Sequence, residues 1–298
     1  MPPLRVVPLA DEHRADCARL LAERFARQRA AEPLLPRVDD FAPHVPPSGV
    51  VATRGGTVVA YVGGEIKGEI ATVGFGGCAA SEPEAIRDCY AALAAGWDVH
   101  RFAVAVPASD GALVDAWFRL AFGCQFMWGV RETEPAEPVD FGGEIRLGTP
   151  GDLAAAVELD RVLWELQIES PSYSGATTPT DEAMNEEWKE TWNEPETYTH
   201  FVAELDGRVV GHLLLYHRPE GDLRVPESNI DLADAATISE VRGKGAGLAL
   251  TAHAMRYAYD QGYQSMTVDW RSVNLFSSRF WPRRGFRPQY LRLYRAVP

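Results

Sequence analysis

The sequence predicts an α/β (α+β) chain made of two copies of one mixed-sheet unit, and three observations predict it. Val51-Ala52, Gly56 and Val58-Val59 recur as Val202-Ala203, Gly207 and Val209-Val210, each shifted by 151 positions. A longer set, Trp117, Arg119, Phe122, Gln125 and Arg131, returns without a gap as Trp281, Arg283, Phe286, Gln289 and Arg295, each shifted by 164 positions. Along both copies, short runs of strand character alternate with helical apolar periodicity, which is the pattern of a mixed sheet covered by helices.

Each copy opens on a short strand, Arg5 to Pro8 and Glu144 to Leu147, followed by an amphipathic helix. The repeated Val-Ala, Gly and Val-Val positions then read as a hairpin, because two β-branched runs meet at a glycine that can take a positive φ. A strand leads next into a second helix, Glu84 to Ala95 in the first copy and Leu248 to Asp260 in the second. A further strand (Phe102 to Val106; Met266 to Asp269), a short helix and a closing strand complete the unit. The stretch Glu132 to Val139 carries prolines and glutamates and reads as the linker. The expected domains are 1–136 and 140–298.

Composition narrows the class. The chain has 298 residues, 46% of them hydrophobic, enough for more than one core. A net charge of −13 disfavours general nucleic-acid binding, which depends on Lys and Arg against phosphate. No apolar run approaches the roughly 20 residues that span a bilayer, and Met1 to Pro8 lacks a signal-peptide core. A cytoplasmic location without membrane partners is expected, as monomer or homodimer. Cys17, Cys78, Cys89 and Cys124 have no metal-ligand spacing and read as small apolar groups.

The richest chemical signal is Arg242-Gly243-Lys244-Gly245-Ala246-Gly247, set between a strand-like stretch and a helical one. A glycine turn opening a helix gathers unpaired N–H groups and the positive end of the helix dipole at one point, where a phosphate can sit. A Walker loop would need glycine at Ile238 and Ser or Thr at Gly245, and a dinucleotide fingerprint would need glycine at Leu248. From Trp270 to Pro298 there is no Asp or Glu, while Arg271, Arg279, Arg283, Arg284, Arg287, Arg292 and Arg295 crowd the segment. Such a basic island in an acidic chain suits a small polyanion.

What remains is R-x-x-G-x-G, followed downstream by Asn274, Ser277, Phe280 and Gly285-Phe286 in the order N-x-x-S-x-x-F-x-x-x-x-G-F. On these two ordered motifs the chain resembles the GNAT superfamily of acetyl-coenzyme A dependent N-acetyltransferases. The resemblance implies a tandem of two GNAT-like acyl-CoA N-acyltransferase domains and transfer of an acetyl group from acetyl-CoA, as co-substrate, to the primary amine of a small-molecule acceptor. It implies coenzyme contacts from Arg242, Gly243, Lys244, Gly245, Ala246, Gly247, Asn274 and Ser277. Amides of Thr237 and Ile238 would hold the pantetheine arm and thioester carbonyl, with direct transfer in a ternary complex. A non-catalytic acyl-CoA binding or sensing module is the alternative.

An amine of pKa about 10.4 must lose a proton before it attacks. Asp234, on the strand entering the loop, is the first choice of base and Asp231 the second; a turn cap or an ion pair is the other reading of Asp234. The family's usual acid, a Tyr seven positions after the motif Asn, is replaced by Trp281, whose indole is no practical acid, leaving the thiolate to be protonated by water or by another group, Ser277 or Tyr290. Trp281 matches Trp117 of the first copy and reads as core packing. Under the 164-position shift the glycine loop falls on Cys78 to Pro83, which has no glycine and carries Glu82, so the first copy is expected to bind coenzyme A poorly. Between Leu163 and Thr199 the second copy carries an insertion rich in Trp, Tyr, Asp and Glu, including Trp164, Tyr173, Trp188 and Trp192. It suits a cationic acceptor, although an acidic helix from Asp181 to Trp192 packing its two tryptophans on the core explains the same residues.

Overall fold

The computed structural model describes residues 1–174, 177–219 and 221–298. The chain forms two compact units, one of residues 1–129, 222–226 and 288–298, the other of 130–221 and 227–287. Among the described residues no helix is long and apolar enough to cross a membrane.

The first unit contains β1 (Leu4–Pro8), α1 (Arg14–Ala31), β2 (Gly49–Arg54), β3 (Thr57–Gly63), β4 (Glu65–Lys67) and β5 (Ile70–Val73). It continues with β6 (Cys78–Ala80), α2 (Ala85–Ala94), β7 (Arg101–Pro107), α3 (Gly111–Phe118) and most of β8 (Gly123–Glu132). The second contains β9 (Glu144–Leu147), α4 (Leu153–Ile168), α5 (Asp181–Asn193), β10 (Tyr198–Leu205) and β11 (Arg208–Tyr216). It is completed by β12 (Asn229–Thr237), α6 (Ala246–Asp260), β13 (Ser265–Arg271) and α7 (Ser277–Phe280), after which β14 (Arg287–Ala296) closes the chain.

The repeat is visible in the register. In each unit the opening strand pairs antiparallel with the first hairpin strand, Val6 facing Ala52 and Ile145 facing Ala203. Both hairpins carry an irregularity directly after that alanine, between Ala52 and Thr53 and between Ala203 and Glu204. A bulge repeated at one position points to a shared backbone design. The expected elements appear within two residues of their sequence limits, and the strand-like stretch before the glycine loop is the end of β12.

α1 buries Cys17, Leu20, Leu21 and Phe25, a three-to-four-residue spacing that presents one apolar stripe to the sheet. Each such large apolar side chain contributes about 1.5–3 kcal/mol on burial. Trp117 is fully buried, edge-on to Tyr90 and Phe122 at 5.4 and 5.1 Å. Three of the four cysteines are buried, and burial pushes the Cys17 and Cys89 thiols up to about 12, so neither is a nucleophile at neutral pH.

Two features depart from the reading of the sequence. The 164-position shift aligned the glycine loop with Cys78–Pro83, but Cys78–Ala80 are strand β6. The pair Ala60–Ala80 in β3 and β6 corresponds to Gly211–Thr237 in β11 and β12, so the first unit's turn is only Ser81 to Glu84. That turn still has no glycine, and Glu82 is clamped by Arg54 through bonds of 2.8 to 3.0 Å. The second departure is β14. Its residues from Pro288 onward belong to the first unit, where Tyr290 to Ala296 pair antiparallel with Pro107 to Arg101 of β7.

Candidate active site

The sheet of the second unit runs β13-β12-β11-β10-β9. β12 and β13 are parallel, as the α6 crossover requires. Their pairing extends from Asn229–Ser265 to Leu232–Val268. Beyond it, β12 continues alone on that side to Thr237. The separation starts at a bulge, because Leu214 pairs with Asp234 and Leu215 with Leu232, which leaves Ala233 unmatched. A bulge bends its strand and re-aims the next side chains, here Asp234.

A cavity of about 640 Å³ occupies the second unit beside this split. Thr237, Arg242, Gly243, Gly245, Gly247, Asn274 and Ser277 line it, as do Leu163, Leu166, Phe280 and Trp281. Seven of the eleven expected site residues are therefore brought together. Lys244 is exposed, while Ile238 and Ala246 are buried. Ile238 cannot serve as an amide donor to the thioester, because its N–H donates to the carbonyl of Val210 at 3.0 Å. One residue earlier, Thr237 occupies a non-hydrogen-bonded pair with Gly211, so its N–H turns away from β11 toward the edge that β13 has left.

The glycine turn has the backbone that its sequence demands. Gly243 and Gly245 take φ of +76° and +101°, in the left-handed region, and Gly245 caps the start of α6. Lys244 closes a turn onto the Val241 carbonyl at 3.0 Å, and Ala249 onto that of Gly245 at 2.8 Å. The amides of Gly243, Gly245, Ala246, Gly247 and Leu248 have no acceptor among the described residues. Arg242 lies over Phe276 at 5.1 Å and Arg284 over Phe280 at 4.4 Å, two cations held on aromatic rings at the cavity wall. Burial, and then Arg283, lowers the pKa of Arg284.

Two further arginines of the island are engaged elsewhere. Arg287 pairs with Glu132 at 2.8 Å and Arg295 donates to the Leu120 carbonyl at 2.9 Å. Asn274 caps α7, its Oδ1 accepting from the amides of Phe276 and Ser277 at 3.0 and 3.3 Å. The Ser277 Oγ is buried without a partner among the described residues. Trp281 packs edge-on to Phe280 and Phe286 and also forms cavity wall, so the packing role expected of it is only part of its position. Tyr290, the other acid candidate, belongs to the first unit and does not line the cavity.

Asp231 is engaged in structure: it accepts from Arg218 at 2.6 Å and from Thr267 at 2.7 Å. Asp234 has no cationic partner among the described residues. Its Oδ1 is shut off from solvent and faces the carboxyl of Asp160 on α4. Burial pushes Asp160 up to about 6. Burial, then the charge of Asp160, raises Asp234 well above the carboxylate range, so one proton is shared between them. Trp188 donates its indole N–H to Asp160 Oδ2 at 2.6 Å. His212, on the same face of β11 as Asp234 is of β12, is fully buried, and burial holds its imidazole neutral.

Sequence reasoning missed Asp160 and His212. A readable signal existed for the first, since Asp160 falls four residues after Ala156 and three after Val157, on the apolar stripe of α4. The insertion supplies α5 rather than an aromatic cage. Trp188 and Trp192 pack with Met184, Ala156 and Val157, Tyr173 is exposed, and none of the three tryptophan and tyrosine side chains lines the cavity.

The model of the acetyltransferase (GNAT) family matches residues 161–286. Among solved structures, a GCN5-related N-acetyltransferase from Sphaerobacter thermophilus is 16% identical, with 99% of this chain and 97% of that one covered and a TM-score of 0.56. A tandem GNAT protein from the clavulanic acid biosynthesis pathway is 16% identical, with 99% of each chain covered and a TM-score of 0.50. No curated protein matches the sequence. At such identities the two structures are alike in fold. Residues 161–286 match the acetyltransferase (GNAT) family model, and the chain as a whole carries the tandem GNAT fold.

Proposed function

We propose that the second unit moves an acetyl group from acetyl-CoA to the primary amine of a small-molecule acceptor, by direct transfer in a ternary complex. The observation that carries this reading is one cavity bounded by the amide-rich start of α6, the split between β12 and β13, and two arginines. Its volume of about 640 Å³ lies within the range of small-molecule sites. The amides of Gly243, Gly245, Ala246 and Gly247 and the dipole of α6 would hold the diphosphate, Arg242 and Arg284 adding charge. Leu163, Leu166 and Phe280 would flank the pantetheine arm, with Asn274 and Ser277 at the cavity wall.

Asp234 would take the proton of the acceptor ammonium, directly or through water. Its shared proton must leave first, and a raised proton affinity makes the ionised form a stronger base than an exposed carboxylate. The amine nitrogen then bonds to the acetyl carbon, the carbonyl oxygen gains charge beside the Thr237 N–H, and the carbonyl re-forms as the C–S bond breaks and the nitrogen gives its second proton to solvent. The thiolate leaves past Ser277 and takes a proton from solvent, because the Trp281 indole supplies none.

The experiment is release of free thiol from acetyl-CoA with a panel of small amines, on the parent protein and on Asp234→Asn. Amine-dependent release that falls by roughly 10²- to 10⁴-fold in the variant supports the reading. Trp281 at the acid position favours a second one, an acyl-CoA sensing module. Tight acetyl-CoA binding with no amine-dependent release would establish that alternative.

A further inference from the structure

Two carboxyl groups and an imidazole converge beside the cavity in a way that proton sharing does not fully satisfy. Asp160 Oδ1, Asp234 Oδ1 and both ring nitrogens of His212 are buried without a hydrogen-bond partner among the described residues. One ligand atom from each residue lies within 4.8 Å of the others, and His212 Nε2 is 3.9 Å from Asp160 Oδ1. A shared proton joins the carboxyls and leaves the imidazole unanswered. A cation among them takes up both carboxyl oxygens and one ring nitrogen, and a buried ring with unmet nitrogens is a costly feature to keep otherwise.

We infer that Asp160, His212 and Asp234 form a binding site for a divalent transition-metal ion of the zinc class, each residue giving one ligand atom. Two carboxylate oxygens and one neutral imidazole nitrogen are a borderline donor set, suited to zinc rather than to magnesium or calcium, which favour all-oxygen shells. Bonds of about 2.0–2.2 Å in a tetrahedral shell set ligand atoms roughly 3.4 Å apart, so atoms within 4.8 Å of one another close by at most about 1.4 Å. The supporting shell is present. Trp188 holds Asp160 Oδ2 at 2.6 Å and so leaves Oδ1 for the ion, while its ring packs on His212 at 5.5 Å. Leu214 and His212 of β11 face Asp234 and Ala236 of β12, a register that fixes two of the three ligands on one rigid face. Three protein ligands leave a fourth position for water.

The site stands whether or not Asp234 takes the amine's proton. An ion there and proton acceptance by Asp234 are alternatives, so a loaded enzyme is an arrested one.

The test is titration of chelator-treated protein with Co²⁺, followed by displacement with Zn²⁺. The expected result is one Co²⁺ per chain with the intense visible bands of a four- or five-coordinate ion, lost on adding Zn²⁺. His212→Gln and Asp160→Asn should abolish those bands. Trp188→Phe should weaken binding by the roughly 10- to 100-fold that a supporting partner is worth. Near-UV circular dichroism checks that each variant is folded. If a variant is not, the imidazole ¹⁵N resonances of the parent protein decide, one His212 nitrogen moving on saturation with Zn²⁺. A Co²⁺ spectrum no different from that of the aqueous ion, full affinity in folded His212→Gln, or unmoved His212 resonances would overturn the site. None of these readouts depends on acetyl transfer.

Discussion

Gly247 is the residue at which the coenzyme reading is tested with least disturbance to the fold. Gly243 and Gly245 have positive φ, so any side chain there strains the backbone before it meets a ligand. A Cβ on Gly247 meets only Thr237 Cγ2 at 3.8 Å and Phe280 Cζ at 4.0 Å, ordinary contacts. Gly247→Glu should therefore fold and weaken acetyl-CoA binding by roughly a hundredfold, about 2.7 kcal/mol, since it sets an anion among the amides meant for a diphosphate. The same scale supplies a pH prediction. Arg146 donates to both oxygens of Asp152, at 2.9 and 2.8 Å, and holds that carboxyl well below its ordinary range. A depressed folded value stabilises the protein above the unfolded value near 3.9 and loses that effect as pH falls toward the folded one. Asp152→Asn should lower Tm at pH 7, and the gap from the parent should shrink as the pH is taken below about 4. Asp234 could be proposed from the sequence because it lies a few residues before a recognisable loop. Its partners could not: Asp160 reaches it from 74 positions earlier, by packing of α4 on the sheet, which no local pattern encodes.

At the scale of elements, helices and strands followed from periodicity and turn chemistry, and the helix of the insertion was readable over Asp181 to Trp192, its cap coming from the structure. Thr180 accepts from the Ala183 amide at 3.2 Å, with Asp181 and Glu182 in the first turn. Thr180→Ala should cost about 1 kcal/mol, seen as a lower denaturant midpoint. Trp188→Ala should cost more, about 3–5 kcal/mol, because it empties a site between Met184, Ala156 and Val157 and strips Asp160 of its donor. The glycine loop shows where sequence alignment of the copies gives out. An ungapped shift fits the closing strands but not the turn, because the first unit spans it with Ser81 to Glu84 where the second uses Ile238 to Gly245. The strand before the turn differs as well. One bulge at Ala233 in β12 corresponds to a full break at Gly74 to Gly77 between β5 and β6.

At the scale of the whole chain, the last strand is what a linear reading could not assign. A boundary at 1–136 and 140–298 follows the repeat, whereas the compact units give residues 288–298 to the first, since β14 finds its backbone partners in β7. Pairing across so many residues leaves no local trace, as β-strands are defined by non-local hydrogen bonds. Ending the chain after Gly285 should therefore expose β7 and destabilise the first unit, which hydrogen exchange would show as lost protection in Arg101–Pro107. Retained protection there would argue against the pairing. The claim on which the functional reading turns is that the amides at the start of α6 hold the diphosphate of an acyl carrier. Calorimetric titration of acetyl-CoA into the parent protein and into Gly247→Glu tests it most directly. One molecule bound per chain, with the heat lost in a folded Gly247→Glu, is the result expected; equal binding by both proteins, or no heat in the parent at millimolar acetyl-CoA, would contradict it.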